Sequence, residues 1–366
     1  MTDNKKIKIA QVVGNASCGG VISCVLNFYR NIDRDKFSFD FFTYGVSPFD
    51  EEIKSLGGNV FYIPSVLNYF KSVKAMTKLF RENGYDAVHA HLTTLSFVPL
   101  KAAKKAGIKN RICHAHSTAH ISEKRWIVKA TLKKISKVYP TRLAGCSRYA
   151  CKWLYGKKQG EKAFVLHNAI DLDRFSSDDG RGEEIKKTFG FEGKKVVGHI
   201  GRTEFQKNPL FLAKIFKQVV EKNSDTVCVT VGDGSLAEKF RQKIKSYGIA
   251  DRVFMLNETK KVEDYYKMFD VFVLPSKFEG LPLVAVEAQA SGIPCLLSEK
   301  ITRETDITGK CIFLPIKDPV MWEKEIKKCL ETGKYQGKTA VAEAGYDITQ
   351  EAKLLEKFYL SLEDEK

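Results

Sequence analysis

Short apolar runs alternate with longer stretches of helical periodicity along the first half of the chain. The first run, residues 7–13, predicts a buried strand, and a glycine-containing turn leads from it into a helical stretch at 21–29. Further strand-like runs, with helical patterns between them, lie at residues 37–44, 60–63, 87–90 and 111–114. This alternation is typical of a parallel sheet that helices cover on both faces.

The same rhythm restarts in the second half. Its strand-like runs lie at residues 195–201, 226–231, 252–256, 271–274, 294–297 and 312–314. The polar, glycine-containing segment 171–193 is typical of a domain edge, and a chain of 366 residues is long for one core. We predict an α/β protein of two doubly wound, Rossmann-like domains facing a central cleft, at 1–175 and 176–345. The helical end, 346–366, is expected to pack back on the N-terminal domain.

A motif with two carboxylates follows the strand at 271–274. Glu279 lies in the strand-to-helix loop, a turn at 280–282 follows it, and Glu287 lies within an apolar helical pattern. Ligands of open α/β sheets bind beyond the carboxyl ends of the strands. A carboxylate in an apolar helix needs a polar partner, and ligand hydroxyls are good candidates. The motif therefore predicts a sugar-nucleotide site.

A basic loop follows the strand at 195–201, just before a helix that begins at Pro209. Arg202 offers a planar fork of donors and Lys207 a mobile point charge, a combination that suits a diphosphate. Two surface salt bridges are the alternative interpretation. We favour phosphate binding, because this loop is expected on the same side of the sheet as the Glu279 loop.

Two glycine-rich turns also end strands. Gly19 and Gly20 precede a helix, where backbone amides and the helix dipole favour an anion. The second turn, 232–234, fits a tight turn that needs no ligand.

Histidines cluster after two strands of the first half, as His89 and His91 and then His114 and His116. Strand alternation places the last two on one face. A histidine at such an edge can hydrogen-bond a substrate hydroxyl or relay charge. A metal site is the alternative, but no nearby carboxylate completes a ligand set. His199, inside a strand, is predicted to be structural.

The formal net charge of +16 is concentrated in part in a basic amphipathic segment at 124–137. Such a segment suits the anionic face of a membrane, and a solvated helix face is the alternative. Nucleic-acid binding would depend on charge alone, since no recognisable nucleic-acid motif is present.

The sequence has no apolar run long enough to span a bilayer, and its first residues predict no signal segment. Its nine cysteines are scattered without metal-ligand spacing and are expected to be reduced thiols. We therefore expect a cytoplasmic protein, with attachment to the inner face of the membrane through the basic segment as a further hypothesis.

In this order and spacing, the segments 201–208, 231–234, 270–276 and 279–287 resemble the retaining nucleotide-sugar glycosyltransferases of family four, which have the GT-B fold. The segment 165–175 is similar to the family's entry into its second domain. Gly19-Gly20 and the segment 30–33 resemble the branch that builds bacterial capsule and exopolysaccharide repeat units. The similarity covers nearly the whole chain.

The resemblance implies roles for individual residues. Arg202 and Lys207 would hold the leaving diphosphate, and Glu287 would hold the ribose hydroxyls. Glu279 would bind hydroxyls of the donor sugar, and His116 would be the active-site histidine near that sugar. Arg202, Lys207, Glu279 and His116 are thus the catalytic candidates.

Backbone groups and one alternative complete the implied site. The amides of Gly280 and Leu281 would lie near the donor sugar, and Gly19 and Gly20 would approach the diphosphate from the other domain. His114 is the alternative active-site histidine.

The expected reaction is transfer of a hexose from a nucleoside-diphosphate sugar to a saccharide or polyprenyl-diphosphate-linked acceptor. The N-terminal domain would bind the acceptor and the C-terminal domain the donor. The resemblance implies retention of configuration, no metal ion and no other cofactor, with UDP as the expected nucleotide. Asn257, near the expected base pocket, replaces a glycine usual in the family. A nucleotide-sugar 2-epimerase and a non-catalytic saccharide-binding subunit are the alternatives.

Overall fold

A computed structural model describes residues 6–15, 20–116, 126–176, 179–257 and 261–362, with the backbone alone at 126–130. The chain forms two compact units. The first unit combines Met1–Ile170 with Asp347–Lys366, and the second unit is Asp171–Tyr346. Gly19, Lys124 and Arg125 lie outside the described residues.

The first unit is built on a seven-stranded parallel sheet in the order β3-β2-β1-β4-β5-β6-β7. Nearly every residue of the inner strand Ile7–Gly14 is buried, because helices cover both faces of a parallel sheet. The strands are β1 Ile7–Gly14, β2 Phe37–Thr43, β3 Val60–Tyr62, β4 Ala87–Ala90, β5 Asn110–Ala115, β6 Arg142–Gly145 and β7 Phe164–Val165.

The second unit has a six-stranded parallel sheet in the order β10-β9-β8-β11-β12-β13. Its strands are β8 Lys195–Ile200, β9 Thr226–Val231, β10 Val253–Leu256, β11 Val271–Leu274, β12 Cys295–Ser298 and β13 Cys311–Leu314.

Sixteen α-helices are found in the described part of the chain. Shorter helical turns lie at Thr93–Leu95, Phe205–Lys207, Arg303–Thr305 and Ala342–Tyr346. The helices are α1 Gly20–Asn31, α2 Asp50–Ser55, α3 Tyr69–Asn83, α4 Phe97–Lys105, α5 Trp126–Ile135, α6 Arg148–Tyr155, α7 Lys157–Lys162, α8 Leu172–Ser176, α9 Arg181–Thr188, α10 Pro209–Lys222, α11 Ala237–Ser246, α12 Val262–Met268, α13 Leu283–Ala290, α14 Pro319–Thr332, α15 Lys338–Val341 and α16 Ile348–Leu360.

Both sheets reverse their strand order once. In the first unit the reversal lies between β1 and β4, and in the second between β8 and β11. Loops that leave the carboxyl ends of such neighbouring strands diverge to opposite faces of the sheet and open a crevice between them. The crevices follow the ends of β1 and β4 in the first unit and of β8 and β11 in the second.

The last helix, α16, belongs to the core of the first unit. Its apolar face packs among buried residues of β1, β2 and α1, with Tyr359 fully buried. Phe358 stacks on Phe164 of β7 with ring centroids 4.2 Å apart. Glu356 accepts a hydrogen bond from the backbone amide of Asp33 at 2.8 Å. The end of the chain therefore completes the first unit.

The predicted pair of doubly wound parallel sheets is confirmed, and eleven of the strands fall where the apolar runs predict them. Strands β6 and β7 were not predicted from the sequence. They are short, with sequences Arg-Leu-Ala-Gly and Phe-Val, and such segments carry too little periodicity to be separated from loops.

No helix of the described residues is both long and apolar enough to cross a bilayer. In the basic segment, two of the described lysines bind groups of the protein itself. Lys133 lies over the ring of Trp153 with its ammonium 5.1 Å from the centroid, and Lys137 donates to the carbonyl of Tyr155 at 2.6 Å. These contacts give part of the segment's charge a role in packing α5 against α6.

Candidate functional site

Two of the predicted residues form an ion pair in the second unit. The ammonium of Lys207 lies 2.7 Å from Oε1 of Glu279, and the two side chains are only 15% and 9% exposed. Ser276 donates to the same carboxylate oxygen at 3.0 Å, and Gln206 donates to the other at 2.9 Å. Three donors therefore hold the Glu279 carboxylate in one orientation.

The loops after β8 and β11 are tied together around this pair. The backbone carbonyl of Gln206 accepts a hydrogen bond from the backbone amide of Lys277 at 2.8 Å. The side chain of Asn208 donates to the backbone carbonyl of Pro275 at 3.3 Å. Asn208 has a φ of 57°, a left-handed conformation that asparagine tolerates better than most residues. It directly precedes Pro209, the first residue of α10. The short turn before α10 thus directs Lys207 towards Glu279.

The glycines of these loops have packing roles. A Cβ on Gly201 would lie 3.0 Å from Cε of Lys207, so the glycine leaves space for the lysine stem. At Gly232, with φ of 124°, a Cβ would come within 2.6 Å of the carbonyl oxygen of Gly201. At Gly234 it would come within 2.7 Å of the Thr203 carbonyl oxygen. The turn at 232–234 therefore supports the loop after β8 by close backbone packing, in keeping with its interpretation as a tight turn.

Glu287 lies on α13 and contacts Tyr266 of α12. The Tyr266 hydroxyl is 2.8 Å from Oε2 of Glu287 and 3.0 Å from the carbonyl oxygen of Val284. Burial raises the pKa of Glu287 to about 7, against opposing effects of Tyr266 and Lys207. We expected ligand hydroxyls to be the polar partner of this carboxylate, and the structure adds the Tyr266 phenol as an internal one. No pattern in the sequence links the two residues.

Not all of the predicted residues meet. The structure brings Lys207 and Glu279 together, and Lys207 lies near enough to Glu287 to lower its pKa. Arg202 is exposed, and among the described residues it forms no hydrogen bond or ion pair with these three. Its charge acts on Glu204, whose pKa is lowered chiefly by hydrogen bonds from Ser235.

Two backbone positions predicted to bind the donor directly follow Glu279 in the chain. Gly280 and Leu281 are partly buried in the loop between β11 and α13, and a Cβ on Gly280 would meet open space. Asn257 follows β10 directly and is exposed.

The four histidines of the first unit are gathered at the ends of β4 and β5. The rings of His114 and His116 stack with centroids 4.3 Å apart, as strand alternation predicts, and those of His89 and His91 stack at 4.2 Å. His89 Nε2 lies 3.0 Å from His114 Nδ1, and His91 Nδ1 lies 2.7 Å from His116 Nε2. Each histidine at the end of β4 therefore hydrogen-bonds one at the end of β5.

Gln11 of β1 and Tyr359 of α16 complete this cluster. Tyr359 Oη lies 2.8 Å from His89 Nδ1. Gln11 donates from Nε2 to the Tyr359 hydroxyl at 3.1 Å, and its Oε1 lies 2.8 Å from His91 Nε2. We refer to Gln11, Tyr359 and the four histidines as the histidine network. Sequence reasoning missed Gln11 and Tyr359, although a glutamine in the middle of an apolar strand is a detectable signal.

Burial makes the network neutral. The pKa values of His89, His91 and His114 lie well below the usual range, first because burial disfavours the charged ring and then because neighbouring histidines repel a second charge. Burial likewise lowers the pKa of His116 to about 4, and the polar side chain of Asn168 opposes that shift. At neutral pH all four rings therefore have one N–H and one lone pair each.

His89, His91 and His114 could together ligate a metal ion, since ligand nitrogens of the three lie within 4.8 Å of one another. Imidazole suits zinc and other transition metals. A metal ion would have to displace hydrogen bonds that these nitrogens already make with one another, Tyr359 and Gln11. Activity without a metal ion stays a prediction.

In the first unit, Gly20 is exposed and is the first residue of α1.

His199, in β8 of the second unit, is buried and its Nδ1 lies 2.9 Å from the carbonyl oxygen of Val273. Its burial lowers its pKa to about 4. A neutral ring bonded to the neighbouring strand fits the structural role predicted for His199.

Family models match both halves of the chain. A model described as "Glycosyltransferase Family 4" matches residues 18–174, and one described as "Glycosyl transferases group 1" matches residues 181–342.

Relatives and a solved structure agree with these models. The chain is 32% identical to EpsF of Bacillus subtilis, named as a glycosyltransferase, over 96% of both chains. It is 29% identical, over 81% of this chain and 80% of the other, to an Escherichia coli protein. That protein is named UDP-Gal:alpha-D-GlcNAc-diphosphoundecaprenol alpha-1,3-galactosyltransferase. The fold matches Anabaena HepE, solved in complex with UDP-glucose, with a TM-score of 0.81 at 16% identity over 97% of this chain and 99% of HepE.

Proposed function

The chain belongs to the family-four glycosyltransferases of GT-B fold, and we propose that it transfers a hexose from a UDP-sugar to a lipid-linked saccharide. The coarser activity, glycosyl transfer in exopolysaccharide or capsule synthesis, follows from the relatives. EpsF and the Staphylococcus aureus protein CapH, named for capsular polysaccharide biosynthesis, both match over at least 90% of this chain. The expected alternatives, an epimerase and a non-catalytic binding subunit, have no support among these relatives.

The proposed donor and acceptor are supported by two similar proteins. HepE was solved with UDP-glucose, and the E. coli relative is named for a UDP-sugar donor and a diphosphoundecaprenol-linked acceptor. An acceptor of this kind carries a lipid and would be used at a membrane surface. Attachment of the basic segment to anionic lipid stays a prediction.

The proposal depends on one observation in the second unit, the Lys207–Glu279 pair beside Glu287 at the end of β11. Cleavage of the anomeric bond develops negative charge on the departing diphosphate. Lys207 keeps ammonium protons beyond the one directed at Glu279, and the exposed Arg202 leaves its guanidinium available. In this proposal both neutralise the diphosphate, without a metal ion.

We propose that Glu279 positions the donor sugar and does not attack it. Its carboxylate already accepts from Lys207, Ser276 and Gln206, and these bonds reduce the availability of its lone pairs for attack. Glu287 is proposed to accept hydrogen bonds from the ribose hydroxyls. His116 is proposed to contact a hydroxyl of the transferred sugar, and Gly20 to approach the diphosphate.

A two-stage experiment tests this function. Thermal-shift measurements with UDP-, GDP- and ADP-linked sugars identify the donor, because a ligand of the native state raises apparent stability. The chosen donor is then incubated with EDTA and a polyprenyl-diphosphate-linked saccharide, and NMR identifies the anomer of the product. We expect UDP release that requires the acceptor, and an anomer that matches the donor.

Three results would contradict parts of the proposal. Epimerised donor in the absence of acceptor would assign an epimerase. An inverted product or a trapped glycosyl-Glu279 adduct would refute the proposed mechanism. Loss of activity in EDTA that added metal ion restores would refute metal independence.

A further inference from the structure

The histidine network has two arms that meet at Gln11. One arm runs from the Gln11 amide nitrogen through Tyr359 and His89 to His114. The other runs from the Gln11 amide oxygen through His91 to His116. Because every ring is neutral and each bond needs one donor and one acceptor, the orientation of one amide determines the position of every ring proton.

The first arm can be followed proton by proton. Gln11 Nε2 donates to the Tyr359 oxygen, so the phenol proton is directed to His89 Nδ1. His89 must then be protonated at Nε2, from which it donates to His114 Nδ1. His114 is left with its proton on Nε2.

The second arm follows the same logic from the other end of the amide. Gln11 Oε1 can only accept, so His91 is protonated at Nε2 and its Nδ1 is a lone pair. His116 must therefore donate to His91 from Nε2. Its Nδ1 is left as a lone pair.

All four rings are thus protonated at Nε2. Rotating the Gln11 amide by half a turn would reverse both arms together and move every ring proton to Nδ1. The two end atoms, His114 Nε2 and His116 Nδ1, are buried and have no hydrogen-bond partner among the described residues. In either amide orientation one of them is a donor and the other an acceptor.

We propose that Gln11 and Tyr359 are positioning residues that hold His114 as a hydrogen-bond donor at Nε2 and His116 as an acceptor at Nδ1. This inference rests on the proposed function, in which His116 contacts the transferred sugar. A hydroxyl of that sugar donates to His116 Nδ1. The C-terminal helix α16 contributes to the site through Tyr359, although it touches the sugar nowhere in this scheme.

The test uses NMR to determine which ring nitrogen of each histidine is protonated. Long-range proton–nitrogen correlation spectra of the uniformly ¹⁵N-labelled full chain at pH 7 distinguish Nε2-H from Nδ1-H rings. The proposal requires the Nε2-H form for all four network histidines. A wild-type spectrum with Nδ1-H rings, or with different tautomers in the two arms, would overturn it.

Two substitutions distinguish one arm from both. Tyr359→Phe removes the donor to His89, so the Nε2-H preference of His89 and His114 should weaken while the other arm keeps its form. Gln11→Met removes both the acceptor for His91 and the donor to Tyr359, so the preference should weaken in all four rings. Identical spectra for both variants and the wild type would contradict the inference.

Tyr29→Phe is the matched control. Tyr29 is a buried tyrosine of the same core, stacks on Phe39 and donates to the carbonyl of Leu56 at 3.1 Å, outside the network. The Tyr29→Phe variant should keep the ring tautomers of the wild type and a kcat/KM within about twofold of it.

The activity of Gln11→Met gives a second measurement. Loss of one hydrogen bond to the sugar should lower its kcat/KM by about tenfold. If the wild type transfers no sugar while the tautomers are as stated, the proposed function fails and the network assignment stands.

Discussion

The two units present their candidate residues at the same place in a parallel sheet but in opposite electrostatic states. In the first unit four neutral histidines are linked by hydrogen bonds and ring stacking, without a charged partner in the network. In the second unit Lys207 and Glu279 form a charged pair with little exposure. The difference fits two ligand chemistries, since a neutral network suits sugar hydroxyls and a mobile ammonium suits a diphosphate.

The cost of burial explains how each arrangement is tolerated. A buried imidazole avoids the cost of a buried charge by remaining neutral. A buried lysine and carboxylate would each be costly alone, so they are retained as a pair with further hydrogen bonds. The first unit therefore depends on pH through its rings, and the second depends on keeping both members of its pair.

The largest expected effect is acid destabilisation of the first unit. Its four network histidines stay unprotonated in the folded state, whereas the unfolded chain takes up protons below pH 6.5. The free energy of unfolding should therefore fall as the pH drops from 7 to 5, by about 2 kcal/mol for each ring. Hydrogen exchange of β4 and β5, corrected for intrinsic rates, measures the loss.

The second unit is the internal reference for this prediction, because His199 is its only histidine. Exchange in β9 and β11 should change less between the two pH values. The variant His116→Gln should lose less stability between pH 7 and pH 5 than the wild type. Equal losses in both units would show that the histidine network does not control acid stability.

The next effect concerns the charged pair. Lys207→Met removes the donor proposed for the diphosphate, and kcat should fall by about 10²–10³-fold, the usual loss for one preorganised donor. It also leaves Glu279 buried without its cation, which costs about 3–5 kcal/mol of stability. Steady-state kinetics and urea unfolding measure the two losses separately.

Two further variants show whether these losses are specific to Lys207 and whether the loss of stability explains the loss of activity. Lys214→Met removes an exposed lysine of α10, and it should change neither activity nor stability appreciably. Lys207→Met/Glu279→Gln removes both charges and should recover stability but not activity. If the double variant regained near-normal kcat, Lys207 would be acting only as the counter-ion of Glu279.

The smallest effect is a pH dependence of donor binding in the second unit. Burial raises the pKa of Glu287 to about 7, and in this proposal the ionised form, which accepts at both oxygens, binds the ribose hydroxyls best. The Kd for UDP should therefore fall about tenfold between pH 6 and pH 8. Calorimetric titrations should find weak binding without this dependence for Glu287→Gln.

Ionisation of Glu287 should have the opposite effect on stability: it strengthens UDP binding as the pH rises, but it lowers the free energy of unfolding. The pKa of Glu287 is higher in the folded chain than in the unfolded one, so its contribution to stability decreases as pH rises from about 4.5 to 7. Glu287→Gln should therefore gain stability relative to the wild type at pH 8. Glu323→Gln is the control, since this buried carboxylate of the same unit is paired with Lys222. A similar pH profile for both variants would exclude a specific role for Glu287.

Much of the fold and part of the site can be predicted from local sequence. The apolar runs predict most strands, and the position of Lys207 and Glu279 after β8 and β11 predicts that they meet. Arg202 also follows β8, yet it is exposed and, within the described part of the chain, forms no hydrogen bond or ion pair with either residue. Loop position thus predicts which residues reach an edge of the sheet, but not the direction of each side chain.

The sequence by itself determined the two parallel sheets, the charged loops at their carboxyl ends and the four histidines that follow two strands, because periodicity and strand-to-helix turns are local properties. Only the tertiary structure decided the partners of these residues. Gln11 and Tyr359 are 348 positions apart and meet because α16 packs on the first unit. Tyr266 reaches Glu287 from a different helix. Contacts of this kind arise from the packing of distant elements, which a pattern of neighbouring residues does not encode.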